Sequence, residues 1–140
     1  MSQPKFEELE VGQEVGTVEF LLTRDSLVRY AGASGDFNPI HYDKGEAARQ
    51  NLPDVIIAGP MKFAMLIDCL TDWAGGQRYI KKARCRYQGM DVPGTVFTMH
   101  AKVAEVDAAT GRVELETWLV NQKGATTTVG NATLELPRKG

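Results

Sequence analysis

Residues 60–76, PMKFAMLIDCLTDWAGG, and the alternating runs that follow them decide the fold. Pro60 lacks the N–H that a first helical turn leaves unpaired, so it suits a helix start, and Gly75-Gly76 suits a stop. Between them Phe63, Leu66, Ile67, Cys69, Leu70 and Trp73 cover one broad side, with polar residues confined mainly to Lys62, Asp68, Thr71 and Asp72. An apolar arc of that width exceeds the need of a surface helix, so this helix is expected to be largely enclosed by other elements. Behind it the hydrophobic period changes to two. Ala83, Cys85 and Tyr87 alternate with Lys82, Arg84 and Arg86, and Phe97, Met99, Ala101 and Val103 alternate with Thr98, His100 and Lys102. Turn signals at Pro93-Gly94, Asp107 to Gly111 and Asn121 to Gly124 separate four strands, the last from Ala125 to Leu136. An antiparallel meander is expected.

Upstream, Glu14 to Leu22 reads as a further strand, and Thr23 as the cap of a short helix through Leu27, Val28 and Tyr30 to Gly32. Asp43 with Glu46 resembles a capping box, placing a second short helix over Lys44 to Gln50 before Asn51 and Pro53 break it. The sum is an α+β arrangement, compatible with a hot-dog fold in which a curved antiparallel sheet wraps a long core helix. At 140 residues, without repeat, low-complexity tract or linker, the chain is expected to be a single domain over 1–140.

Composition removes several function classes. Sixteen basic and eighteen acidic residues leave a net charge of −2, so no global positive charge draws the chain to nucleic acid or anionic lipid. No window approaches the ~20 apolar residues of a membrane span. Met1 to Glu10 carries four charges, Lys5, Glu7, Glu8 and Glu10, and no apolar run after Lys5, so no secretory signal is expected and the cytoplasm is the expected compartment. Cys69 and Cys85 show neither CxxC spacing nor a nearby His pair, which argues against a disulfide framework and a zinc site.

The chemistry concentrates in Asp36-Phe37-Asn38-Pro39-Ile40-His41, where a carboxylate, an amide and an imidazole stand within six residues and Pro39 prevents a continuous helix. A carboxylate and an imidazole held together could share a water molecule, the requirement of general acid–base chemistry. Residue types alone leave a second reading open, because Asp, Asn and Asn-Pro are also ordinary turn residues and His41 could be a solvated loop residue.

The longer stretch Ala33-Ser34-Gly35-Asp36-Phe37-Asn38-Pro39-Ile40-His41 resembles the signature of the MaoC-like, (R)-specific enoyl-CoA hydratases, a G-D-x-N-P-x-H segment. The resemblance implies a hot-dog domain. It also implies that Asp36 and His41 are catalytic, jointly activating a water that adds to C3 of a trans-2-enoyl thioester while C2 takes a proton, or dehydrating a 3-hydroxyacyl thioester in reverse. It makes Asn38 a supporting amide for water or substrate. No cofactor and no metal are implied. The carrier would be coenzyme A or an acyl carrier protein, and the assembly a homodimer or a heterodimer with a related hot-dog subunit. The thioester carbonyl gathers negative charge as water adds, and the N-terminus of the core helix offers free N–H groups to it. Gly59 is the expected donor, with Met61 the next position able to donate. The family often has His-Gly at this step where this chain has Ala58-Gly59, and Pro60 has no N–H to give. A tight turn before a helix is the alternative role for Gly59.

Lys81, Lys82, Arg84 and Arg86 could meet coenzyme A phosphates, but a solvated strand face or a charge-protected edge is the favoured reading. His100 and Cys69 lie inside regular elements without a partner in sequence, so packing or surface roles are expected. Two further readings of the whole are a noncatalytic subunit that shapes an acyl tunnel for a partner, and an acyl-CoA thioesterase, for which Asp68 is the mid-helix carboxylate.

Overall fold

The structure, a computed structural model, describes residues 3–140. The chain runs β1 (Glu14–Leu22), α1 (Arg24–Ser34), a 3-10 turn (Pro39–His41), α2 (Lys44–Arg49), α3 (Gly59–Ala74), β2 (Ile80–Tyr87), β3 (Thr95–Asp107), β4 (Arg112–Val120) and β5 (Thr126–Glu135). The five strands form one antiparallel sheet in the order β1-β3-β4-β5-β2.

That order corrects the expected meander of four strands. Only β3, β4 and β5 follow one another as neighbours, while β2 lies outside β5. The Pro93-Gly94 signal therefore belongs to a crossing segment. From β2 to β3 the chain passes three strand spacings, roughly 14 Å, which the extended segment 88–94 spans with ease. One end of the crossing is tied to β5, where Gln88 N–H donates to the Thr127 carbonyl, and the other to β1, where Gly94 N–H donates to the Leu22 carbonyl, both at 2.8 Å.

Alternation along the strands sets the core. Phe97, Met99, Ala101 and Val103 of β3, Val113, Leu115 and Leu119 of β4, and Ala132 and Leu134 of β5 are buried on the face that receives α3. Burying the Val, Leu, Phe and Met side chains among them stabilises the fold by ~1.5–3 kcal/mol each relative to exposure. The sheet bends at its β1 edge, where the register slips between Val15 and Val18 and Gly16 takes φ +60°. A Cβ built on Gly16 would lie 3.6 Å from the Trp73 ring, so the bulge brings β1 onto the helix.

Helix α3 starts at Gly59, after the N-cap Ala58, and stops at the left-handed Gly75. Its buried stripe runs Lys62, Leu66, Leu70, Ala74, a strict four-residue step, with Met61 beside it. Phe63, Met65, Ile67, Cys69 and Trp73 are only half-buried, so the sheet covers one side of the helix rather than its whole circumference. The polar placing of Lys62 is thereby corrected, since it heads the buried stripe. Two smaller corrections concern ends. Helix α1 continues past Gly32 to Ser34 because Gly35, at φ +75°, is the residue that takes the left-handed cap. Helix α2 ends at Arg49, its first turn closed by Asp43 Oδ1 accepting from the Gly45 and Glu46 N–H groups.

Candidate active site

The cap of α1 delivers the chain directly into Asp36. The loop then folds through bonds of two residues' span: Asp36 N–H donates to Ser34 Oγ (3.1 Å), Asn38 N–H to Asp36 Oδ1 (3.2 Å) and Ile40 N–H to Asn38 Oδ1 (3.3 Å). Asn38 is thus the cap of the 3-10 turn that starts with Pro39, and Tyr42 Oη closes the loop by donating to the Phe37 carbonyl at 2.7 Å. Asp36 and Asn38 do serve as turn residues, and the turn they make aims two side chains, one of them that of Asp36 itself.

Those two are Asp36 and His41. His41 Nδ1 lies 2.7 Å from the Ile56 carbonyl, an acceptor only, so Nδ1 carries the hydrogen and Nε2 of the neutral ring presents its lone pair. Nε2 stands 3.8 Å from Asp36 Oδ2, beyond hydrogen-bond reach. The side chains are 13% and 43% exposed, so the imidazole is walled in and the carboxylate stays hydrated. The Ile56 carbonyl was invisible in the sequence, since any residue brings one. Its placement comes from the strand-like segment 55–58, whose Ile56 N–H donates to the Ile40 carbonyl at 3.0 Å.

Asp36 and His41 share a narrow crevice with Leu27, Tyr30, Ala31, Ala58 and Met61. Gly59 follows Ala58 at the helix start, and its N–H meets no acceptor among the described residues. Met61 lines the crevice with its side chain, but its N–H is engaged by the Ala58 carbonyl at 3.0 Å, which removes it as a second donor. Gly59 is also required sterically, because a Cβ there would come within 2.7 Å of the Tyr87 ring. Desolvation first, then Cys85, pushes the Tyr87 phenol well above its ordinary pKa, so that ring is neutral at physiological pH.

The remaining sequence candidates lie elsewhere. Lys82, Arg84 and Arg86 are exposed on β2, an edge strand, and alternate with Ala83, Cys85 and Tyr87, the last of which touches Gly59. The basic side chains therefore occupy the opposite face from the crevice. Lys81 Nζ caps the Arg78 carbonyl at 2.9 Å. His100 stacks on Trp118 with centroids 5.2 Å apart. Cys69 is half-buried on α3, its thiol pushed up by burial and then by Asp68 and Asp72. Asp68 is exposed and lies nine residues beyond Gly59, about 14 Å along the helix, away from the crevice. No group of His, Cys, Asp and Glu able to hold a metal ion occurs among the described residues, and no described helix is long and apolar enough to cross a membrane.

Known proteins resemble this chain over most of its length. Fatty acid synthase subunit beta of Saccharomyces cerevisiae is 27% identical over 110 residues, 77% of this chain but 5% of that subunit, so the chain spans only a small piece of that relative. A MaoC-like dehydratase superimposes with a TM-score of 0.90 at 24% identity, over 96% of this chain and 42% of that one. The R-hydratase PhaJ1 from Pseudomonas aeruginosa superimposes at 0.87 with 25% identity, over 96% and 86% of the two chains. The ChsH1-ChsH2 complex from Mycobacterium tuberculosis gives 0.82 at 21% identity, over 91% and 98%. These likenesses carry the hot-dog fold. The sequence model of the MaoC like domain matches residues 6–129, from the first buried aromatic to the last strand, and the chain belongs to that family.

Proposed function

We propose that the protein is a cofactor-independent hydro-lyase that adds water to trans-2-enoyl thioesters, with (R) stereochemistry, or dehydrates 3-hydroxyacyl thioesters in reverse. The observation that carries this reading is the 3.8 Å gap between Asp36 Oδ2 and His41 Nε2. A water about 2.8 Å from both atoms closes a triangle on that gap with roughly 85° at its oxygen, open enough to send one O–H toward each acceptor. Its lone pairs then face the substrate. As oxygen bonds to C3, the pair takes one proton from the water and the π electrons move onto the thioester carbonyl. The Gly59 N–H, at the positive end of α3, receives that charge. Return of the proton to C2 completes the addition and leaves Asp36 and His41 as they began.

Domain membership supports a thioester substrate, carried by coenzyme A or an acyl carrier protein, and the R-hydratase likeness supports the stereochemistry. The crevice is too narrow to take an acyl chain, against the ~300–1,000 Å³ of ligand pockets, and the elements lining it leave Val28, Phe37 and Tyr42 exposed. Both facts favour a second hot-dog unit, identical or related, that completes the acyl channel, and light scattering on the eluting protein reads its presence. Hydration of crotonyl-CoA and of longer and bulkier enoyl-CoAs, followed by loss of the conjugated thioester absorbance, tests the reaction. Turnover of at least one of them is expected. Turnover of none, with free thiol released from saturated acyl-CoAs instead, would replace the reading by thioester hydrolysis.

A further inference from the structure

Lys62 and Asp91 are nearly sealed from solvent, at 2% and 4% exposure, and they face each other. Lys62 Nζ donates to Asp91 Oδ2 at 3.0 Å and to the Gly89 carbonyl at 3.1 Å, and it stands 5.8 Å from the centre of the Tyr87 ring. Asp91 Oδ1 accepts from Asn121 Nδ2 at 3.2 Å. A buried ion pair is poor evidence for stability, because desolvating both charges cancels most of their attraction and apolar residues of like volume hold a core as well. What such a pair supplies and a greasy contact does not is direction.

Here the direction points at the site. The Asp91 carbonyl accepts at 2.8 Å from Ile57 N–H, the opposite end of the peptide unit whose Ile56 carbonyl meets His41, while the neighbouring peptide gives its Ile56 N–H to the Ile40 carbonyl. The chain from Ile57 through Gly59 to Lys62, closed by the Lys62 side chain onto Asp91 and by Asp91 back onto Ile57, makes a ring. On that ring sit the Ile56 carbonyl, which holds His41 in its Nδ1–H form, and the Gly59 N–H. The fourth side of the box is Tyr87, whose ring lies against both Gly59 and Lys62.

We infer that the Lys62–Asp91 pair is a positioning device: it fixes the start of α3 relative to segment 55–58, and so holds the His41 imidazole and the Gly59 N–H in one geometry. The inference rests on the hydro-lyase reading for its kinetic consequence but not for its structural one. Neither residue touches the crevice, so both act through the Ile56 and Ile57 peptides.

The test uses the full chain carrying Lys62→Gln with Asp91→Asn, a neutral pair that can still bond, beside Lys62→Arg. Three quantities are read: the thermal midpoint, kcat and KM with the best enoyl-CoA, and the ring nitrogen resonances of His41. The chain has two histidines, so a His100→Gln background assigns them. In the neutral pair kcat falls by about tenfold or more while KM moves less than about threefold, as expected when geometry rather than binding is lost. The His41 ring departs from the pure Nδ1–H form, and Lys62→Arg restores both. A folded neutral-pair variant with unchanged kcat and an unchanged His41 ring would overturn the inference, whatever its midpoint. Should that variant not fold, Asp91→Asn alone, which keeps an oxygen for Lys62 Nζ but removes the carboxylate charge, carries the same two readouts, and their invariance overturns it equally. Wild-type protein that hydrates no enoyl thioester while the ring resonances still respond would sink the hydro-lyase reading and leave the positioning role standing.

Discussion

Two sets of polar side chains stand close to the start of α3, and the fold treats them in opposite ways. In the loop from Gly35 to Tyr42 the bonds that place Asp36 and Asn38 are local and those two groups stay wet, while His41 alone is walled in and reaches fifteen residues to the Ile56 carbonyl. Asp36 is 43% exposed, and its partners lie two residues away. Around Lys62 and Asp91 the bonds reach 29 and 30 residues along the chain and water is excluded. A short-range turn can aim a carboxylate without consuming it, because backbone N–H groups occupy one oxygen and leave the other free. A buried charge has no such liberty, since it must be answered completely where it lies. On the proposed hydro-lyase reading, the acid–base pair thus starts from the part of the structure that is easiest to change, and the brace occupies the part that is hardest.

The sharpest way to break this contrast is to change one residue from each set. Asp36→Asn should lower kcat by about a hundredfold to ten-thousandfold, the range for loss of a general base, while stability stays within ~0.5 kcal/mol, because the amide oxygen still accepts from Asn38. Lys62→Met should do the reverse in kind. It strands the Asp91 carboxylate in the interior and should cost ~3–5 kcal/mol, read as a lower urea midpoint. If Asp36→Asn unfolded the protein more readily than Lys62→Met, the division between a wet site and a sealed brace would be wrong.

A smaller effect concerns the sheet that carries both sets. Gly130 of β5 lies opposite Cys85 of β2, and a Cβ at Gly130 would run into the Arg84 carbonyl. Gly130→Ala should therefore push β2 from β5 and cost ~1–3 kcal/mol, with faster amide exchange along Ile80 to Tyr87 than along β3. Equal exchange in both strands would show that the edge strand yields without loss.

Much of this architecture was legible. Period and turn chemistry placed β1 at Glu14 to Leu22 and α3 to within a residue of its start, because both are long and their apolar spacing is clean. Strand order was not, since a Pro-Gly pair looks alike whether it closes a hairpin or ends a crossing segment. Within the site, Asp36, Asn38 and His41 stand in the sequence as chemistry, and the structure brings Asp36 and His41 to one gap. The Ile56 carbonyl and the loss of Met61 N–H to Ala58 are backbone facts that side-chain identities do not carry. Lys62 is the instructive failure. By residue type it groups with Asp68, Thr71 and Asp72 outside the apolar arc, although the step Lys62, Leu66, Leu70, Ala74 puts it at the head of the buried stripe, and Asp91 in a turn-rich segment is the only hint of a partner.

The smallest expected effect lies between the two classes and sharpens the distinction. Asp54 Oδ2 accepts from Arg24 at 2.6 Å, joining the first residue of α1 to the residue before segment 55–58, yet the arginine is half-exposed. The bond from Arg24 leads the causes that hold the Asp54 carboxyl below its ordinary value of 3.8. A carboxyl whose folded pKa is depressed adds stability above its unfolded value and loses it as the pH falls through the folded one. Asp54→Asn should thus lower the urea midpoint at pH 7 by the equivalent of at most ~1 kcal/mol, the ceiling for an exposed pair. Its difference from wild type should shrink as the pH falls from about 4 downward. Molar salt should shrink it as well, because water and ions reach the pair. The local bond from Val55 N–H to Asp54 Oδ1, at 2.7 Å, survives in the amide and so does not blur the comparison. Salt should leave the Lys62→Met deficit in place, since no ion enters where water does not. Two ion pairs flanking the same segment, one erased by salt and one indifferent to it, would separate a surface tie from an interior brace by a single titration.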